Sequence, residues 1–323
     1  MRQADANPEV LATVLADLFP DTRHPSFHRT AEGVSTPVYR VSVGDRTYYL
    51  RLAESPEASL TPEAEVHRLL ALRAVHLPEI IAFDPCHPLL GRSLMVTSAI
   101  AGMPMDERLT PAQRRAILIA AGRDLAKINS VPVAGFGWIN RTSAESRQLR
   151  AEYPDWQAFV VATLDDHLDR LGRVGVLKSG AVGRIKSLFS ACEGREGLDQ
   201  SAWLAHGDFD TTHIFHTGGQ YSGIIDFGEI RGADRLYDLG HFLLHDGERI
   251  PQQLFPHLLA GYQELIPLLP DHKKRIRRIA IMIGVSGLGR LMQRRPEDYR
   301  SAPLYQWLVR KLPVLLEGEL IGT

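Results

Sequence analysis

The chain has 323 residues with 37 Lys+Arg against 38 Asp+Glu, so no global field draws in nucleic acid or an anionic membrane. At 44% hydrophobic and 23% charged, its composition is that of a soluble globular protein, long enough for two domains or two lobes. Two distant cysteines, Cys86 and Cys192, exclude a disulfide framework and a Cys-rich zinc site and fit a reducing compartment. The longest apolar stretch, 279–288, is too short to cross a bilayer, and residues 1–10 lack the apolar run of a signal peptide. A cytoplasmic location is expected, with neither nucleic acid nor membrane as partner.

Val10, Leu11, Val14, Leu15, Leu18 and Phe19 recur at helical spacing until Pro20 ends the run. The period then changes to two. Tyr39, Val41 and Val43 alternate with Arg40 and Ser42, Gly44-Asp45 makes a turn, and Tyr48, Leu50 and Leu52 alternate with Tyr49 and Arg51. This predicts an antiparallel hairpin. Thr61-Pro62 predicts a helix start, a capping hydroxyl before a proline, with Val66, Leu69, Leu70 and Leu72 on the buried face. Strands are expected over 79–83 and 93–98, around a turn at Asp84-Pro85-Cys86-His87-Pro88.

From Thr110 the pattern is mainly helical, with helices expected over 111–130, 156–171, 181–190, 234–244, 251–265, 272–282 and 303–317. One short β-like interruption lies between Trp203 and Phe227. The fold class is α+β. A small antiparallel-sheet N-lobe (1–99) is joined by a hinge (100–104, with Gly102) to a larger helical C-lobe (105–323).

The chemistry-bearing segment starts with the apolar strand before His206-Gly207-Asp208. A hairpin, Ile214-Phe215 to Ile224-Ile225, then delivers Asp226, so two carboxylates arrive at one place with His213 five residues after the first. Phosphoryl transfer from a nucleotide needs this equipment. Asp208 would orient the incoming hydroxyl and accept its proton, Asp226 would hold Mg²⁺, and His213 would complete the metal site.

Here the sequence resembles the aminoglycoside phosphotransferase family of small-molecule kinases, which share the protein-kinase fold. The matching residues are His206-Gly207-Asp208, Ile225-Asp226-Phe227-Gly228, Ala233-Asp234 and Tyr237-Asp238-Leu239. The resemblance implies a nucleotide-dependent O-phosphotransferase, using ATP or GTP with Mg²⁺ or Mn²⁺, that acts on a small hydroxylated acceptor of antibiotic type. It implies that Arg51, where the family usually has lysine, contacts the phosphates and pairs with a helix glutamate, Glu63, with Glu65 a competitor in register. It places Ser35, in the short loop Gly33-Val34-Ser35-Thr36-Pro37, against the phosphates, and the backbone from Thr97 to Ala99 against the purine. His206 is expected to orient the loop from a buried position. Asp234 and Asp238 are expected to cap the following helix and support the loop.

His213 departs from the family's asparagine. Some macrolide phosphotransferases are similar in both this histidine and the N-lobe arginine. A neutral imidazole can ligate a divalent ion, although Mg²⁺ prefers oxygen. The acceptor segments, about 141–200 and 245–270, mix acids with nearly as many bases, and Tyr153, Trp156, Phe159 and Phe255 would suit a bulkier acceptor. The acceptor class stays open between aminoglycoside, macrolide and other small metabolites. The rival from another class is a catalytically weak nucleotide-binding pseudokinase, against which both aspartates argue. Gly284, Gly287 and Gly289 follow a helical run and predict close helix packing, not a dinucleotide site. The basic run from His272 to Arg278 reads as a solvated helix face. His241 and His245, four apart, lack the acidic partner of a zinc helix.

Overall fold

The computed structural model describes residues 6–21, 25–30, 37–142, 148–190 and 201–318. Asn7 caps α1 (Pro8–Leu18) by accepting from the Glu9 N–H, with Pro8 preset for the first turn. The N-lobe sheet comprises β1 (Ser26–Arg29), β2 (Val38–Val43), β3 (Arg46–Leu52), β4 (Ile80–His87) and β5 (Arg92–Ser98), in the antiparallel order β1-β2-β3-β5-β4. Its period-two pattern sets one face against α1. Leu11, Val14 and Leu15 pack on Tyr39, Val41, Leu50, Leu52, Leu94 and Val96. The same alternation turns Arg51, opposite Val38 on one side and Met95 on the other, away from α1.

Helix α2 (Thr61–Ala71) is inserted between β3 and β4. Thr61 does not cap it. The N-cap is Leu60, and the Thr61 hydroxyl is 2.7 Å from that of Ser59. Val66 and Leu70 belong to the C-lobe core, so the helix docks the small lobe onto the large one. The turn between β4 and β5 also differs from expectation. Asp84 to His87 continue β4 through an irregular register, and the reversal falls at Gly91, whose φ of +60° suits glycine.

Strand β6 (Met103–Pro104) pairs with β11 (Ile214–Thr217), so the connection between the lobes is stitched to the C-lobe hairpin that β11 forms with β12 (Gln220–Ile224). Helix α3 (Pro111–Ile128) starts with a capping box between Thr110 and Gln113. Its buried Asp124 receives the Lys127 ammonium at 2.8 Å, the His76 N–H at 2.9 Å and the Tyr221 hydroxyl at 3.0 Å. These bonds tie β12 to α3 and to the segment after α2.

A second five-stranded sheet, of which the sequence predicts only the strand before His206, joins β7 (Pro132–Val133), β8 (Phe136–Ile139), β9 (Ala151–Tyr153), β10 (Ala202–Ala205) and β13 (Arg231–Ala233) in the order β7-β10-β13-β8-β9. Strands of two to four residues are too short to show a period. Around them pack α4 (Trp156–Arg173), α5 (Ser179–Ser190), α6 (Tyr237–His245), α7 (Phe255–Gln263), α8 (His272–Arg294) and α9 (Pro303–Glu317). Helix α8 runs past the expected end at 282 because Gly284, Gly287 and Gly289 serve contact. A Cβ on Gly284 would lie 2.8 Å from Leu312. Among the described residues no helix is long and apolar enough to cross a membrane.

Candidate active site

β10 ends at Ala205, directly before His206-Gly207-Asp208. The loop is held from behind by Asp238, fully buried in the first turn of α6. One carboxylate oxygen accepts from the His206 N–H at 2.9 Å and the Asn129 amide at 2.8 Å, and the other from the Gly207 N–H at 2.9 Å. Asp238 thus bonds the backbone of the loop and does not cap its helix. Asp234 makes the local turn, accepting from the Leu236 N–H at 2.9 Å, and pairs with Arg275 at 2.6 Å. Gly207 has φ +89°, and a Cβ there would run into the Glu229 carbonyl, so only glycine fits.

Buried His206 links the two aspartates. Its Nε2 is 2.9 Å from the Ile225 carbonyl, which requires N–H there, and its Nδ1 accepts from the Asp208 N–H at 3.3 Å. Both contacts suit the neutral ring, and burial lowers its pKa. Asp226 stands in the left-handed region (φ 65°, ψ 71°), directly before the buried Phe227. It accepts from the Gly228 N–H at 3.2 Å, which helps a non-glycine residue hold that conformation. The Asp226 side chain is 53% exposed, and the partial desolvation that would raise its pKa is outweighed, by Arg51 foremost, so the carboxyl lies below its ordinary pKa.

His213 lies between the carboxylate-bearing segments. Its Nδ1 is 2.7 Å from the Asp208 carbonyl, and its Nε2 is 3.9 Å from Oδ2 of Asp226. With Nδ1–H given to the carbonyl, a neutral ring would offer Nε2, and Asp226 a carboxylate oxygen, to a divalent ion, a donor set that such an ion fits. Single ligand atoms of Asp208, Asp210 and His213 also lie within 4.8 Å of one another.

On the N-lobe side, Nη1 of Arg51 is 3.7 Å from Oδ1 of Asp226. The expected direct pair between Arg51 and Glu63 is replaced. Glu63, 1% exposed, is bonded at 2.8 Å by Arg141. Burial pushes the Glu63 carboxyl up, with the charges of Arg141 and then Arg51 opposing. Arg141 also donates to the Gly228 carbonyl, tying α2 to the turn after Asp226. Glu65 is bound by Arg68 of its own helix at 2.7 Å, which leaves Glu63 as the inward carboxylate. Nε of Arg51 has no hydrogen-bond partner among the described residues.

Thr97 is buried within the ladder, between Tyr49 and Ile80, and the Ala99 N–H is donated to the Thr47 carbonyl at 3.1 Å. That donor is therefore spent inside the sheet. Ser35 lies outside the described residues. Two further residues of the site lie outside the motifs. Arg141 has no motif around it. His241, four residues before His245, places Nε2 3.3 Å from Oδ1 of Asp208. Its position three residues after Asp238 on one helix was the available signal.

The sequence matches the model of the phosphotransferase enzyme family (APH) over residues 26–274. The chain belongs to this family, and is an enzyme that transfers a phosphoryl group to an alcohol, on the protein-kinase-like fold. The solved structure of a thermostable mutant of aminoglycoside phosphotransferase APH(4)-Ia, in ternary complex with ADP and hygromycin B, superposes with a TM-score of 0.67 at 18% identity, covering 97% of this chain and 99% of the other. The GDP complex of a mutant aminoglycoside 2'-phosphotransferase-IIIa gives 0.67 at 18%, covering 97% and 99%. Amicoumacin kinase hAmiN, in complex with AMP-PNP, Ca²⁺ and Ami, gives 0.67 at 16%, covering 97% and 94%. No curated protein sequence matches the chain significantly.

Proposed function

We propose that this protein is a nucleotide-dependent kinase that moves the γ-phosphoryl group of ATP or GTP to a hydroxyl of a small antibiotic-type acceptor. The observation that carries the reading is the convergence on one histidine, with His213 2.7 Å from the Asp208 carbonyl and 3.9 Å from the Asp226 carboxylate. Asp208 orients the acceptor hydroxyl and receives its proton. Arg51, a permanently charged fork, binds the phosphates. His213 and Asp226 would hold a divalent cation, Mg²⁺ or Mn²⁺, which when bound neutralises charge on the phosphates. Retention of this set argues against the pseudokinase reading.

Aminoglycosides are the first acceptor class, supported by the structural neighbour that binds hygromycin B. One observation favours a second, less cationic class such as macrolides or other metabolites, because the carboxylates around the base are already engaged. Glu229 pairs with Arg231 at 3.2 Å, Glu248 with His245 at 2.5 Å, and Asp246 accepts from the Leu254 N–H at 2.9 Å. Polycations need free carboxylates. The test is product mass after incubation with MgATP or MgGTP and a panel of aminoglycosides, macrolides and neutral polyols. A mass gain of one phosphate on a panel member supports the reading. Absence of transfer to every member, with nucleotide bound, would return the protein to the pseudokinase class.

A further inference from the structure

Three histidines grip the loop that carries Asp208, and one of them, His241, touches neither the phosphate-binding arginine nor Asp226. His206 accepts the Asp208 N–H, and His213 donates to the Asp208 carbonyl. These two fix the backbone of the base. The side chain is met by His241, 6% exposed on α6, one turn beyond the Asp238 that anchors the same loop. Its Nε2 lies 3.3 Å from Oδ1 of Asp208, and its Nδ1 3.1 Å from the carbonyl of fully buried Phe209.

Both atoms facing the ring are acceptors. A neutral imidazole has one N–H and would turn a lone pair on either the carbonyl or the carboxylate. The pocket therefore suits the doubly protonated ring, with one N–H for each acceptor. On the open side the ring of His245 stacks on it at 4.7 Å and 28°, and His245 is itself bonded to Glu248 at 2.5 Å. His245 is thus held in place as a wall for the His241 ring.

We propose that His241 is a positioning residue for phosphoryl transfer, whose Nε2–H fixes Oδ1 of Asp208 and leaves Oδ2 for the acceptor hydroxyl. This rests on the reading of Asp208 as the base. In the transfer, the hydroxyl oxygen forms a bond to the γ-phosphorus. The bond from that phosphorus to the bridging oxygen breaks, its electron pair leaving with the nucleoside diphosphate. The hydroxyl proton passes to Oδ2 of Asp208, and His241 keeps both of its protons throughout.

The electrostatics agree with the geometry. Burial alone would depress the His241 pKa, but the hydrogen bond and charge of Asp208, aided by Asp210, raise it. The Asp208 side chain is 42% exposed, so the desolvation that would raise its carboxyl is partial, and His241 foremost holds the carboxyl below the usual range. A second fixed point on the carboxylate supplies the orientation that the acceptor hydroxyl needs. The sign of the mutational effect follows. Removing His241 makes Asp208 more basic, so a basicity account predicts equal or faster turnover, and the positioning account predicts slower turnover.

The experiment compares His241→Phe, which keeps ring shape without a donor, and His241→Gln, which restores an N–H donor. Each is made in the parent and in Asp208→Ala, with MgATP or MgGTP and the panel member of highest turnover. Expected for His241→Phe is a fall in kcat of about 10²-fold with KM for nucleotide unchanged, the size of a misplaced reacting group. His241→Gln should recover most of it, and His241→Phe should add nothing in the Asp208→Ala background. Nitrogen NMR of labelled histidines in the parent should show both His241 nitrogens protonated at neutral pH, a state lost in Asp208→Asn. Parental kcat in folded His241→Phe, a loss that Gln does not rescue, or a singly protonated ring overturns the proposal. Parental turnover in Asp208→Ala overturns the assignment of the base instead.

Discussion

Nη2 of Arg141 lies 2.8 Å from Oε1 of Glu63, where the family resemblance implies the N-lobe strand cation. Arg51 is left facing Asp226 at 3.7 Å. The buried carboxylate of α2 is thus neutralised from the C-lobe, and one arginine joins that helix to the turn after Asp226. Removing Arg141 strands a charge that is 1% exposed. Breaking a buried pair from one side costs about 3–5 kcal/mol. Arg51 remains as a second counter-charge and Arg141 is 25% exposed, so Arg141→Ala should cost nearer about 2 kcal/mol. The double variant Glu63→Gln/Arg141→Ala should be more stable than Arg141→Ala alone. Urea unfolding of the three proteins checks the order, and a double variant less stable than the single would contradict it.

The metal site proposed at Asp226 and His213 predicts an order of ion preference. Asp226→Ala should abolish cation-dependent nucleotide binding in calorimetric titration with MgATP or MgGTP. With a nitrogen ligand at His213, Mn²⁺ should support turnover at least as well as Mg²⁺. His213→Asn should shift the preference toward Mg²⁺, and His213→Ala should lower both metal affinity and rate. Kinetics of His213→Ala that match the parent in rate and ion preference would remove the ligand role.

Asp238 faces three donors, the N–H groups of His206 and Gly207 and the amide of Asn129. Asp238→Asn keeps the shape but turns an NH₂ onto at least one of them. Buried hydrogen bonds to a charged group contribute about 1.5–3 kcal/mol each. Stability should fall by about 3 kcal/mol, and kcat should fall further than the loss of folded protein explains, because the loop that carries Asp208 loosens. Thermal unfolding and active-site-normalised kcat measure the two effects. A folded variant with parental kcat would separate Asp238 from catalysis.

His67 of α2, buried against Phe227 and donating to the Pro78 carbonyl at 3.0 Å, has its pKa pushed down by burial to about 4 from the ordinary 6.5. The unfolded chain takes up this proton first as pH falls. The contribution of His67 to stability is complete above pH 6.5 and is lost progressively between 6.5 and about 4. The loss amounts to on the order of 3 kcal/mol at most. His67→Asn keeps a donor for Pro78 and cannot titrate. Its unfolding free energy should decline less than the parent's between pH 7 and 4.5, and parallel declines would show that His67 is not the sensor.

The sequence by itself determined the two aspartates and the family. His206-Gly207-Asp208 and Ile225-Asp226-Phe227 are contiguous motifs whose spacing is set by a single hairpin, β11–β12, so local chain geometry suffices to bring them together. It also determined the N-lobe hairpin, because alternation over strands of six and seven residues is long enough to read. Only the tertiary structure decided which cation neutralises Glu63, since Arg141 is 78 residues away in the chain (141 minus 63) and no local pattern encodes such a contact. The same holds for the small sheet β7-β10-β13-β8-β9, whose strands are defined by their partners and not by their own period. His241 belongs to both accounts. Its helical spacing from Asp238 is legible in the sequence, but a lone histidine on a buried helix face gains a role only when packing sets two acceptors against its two ring nitrogens.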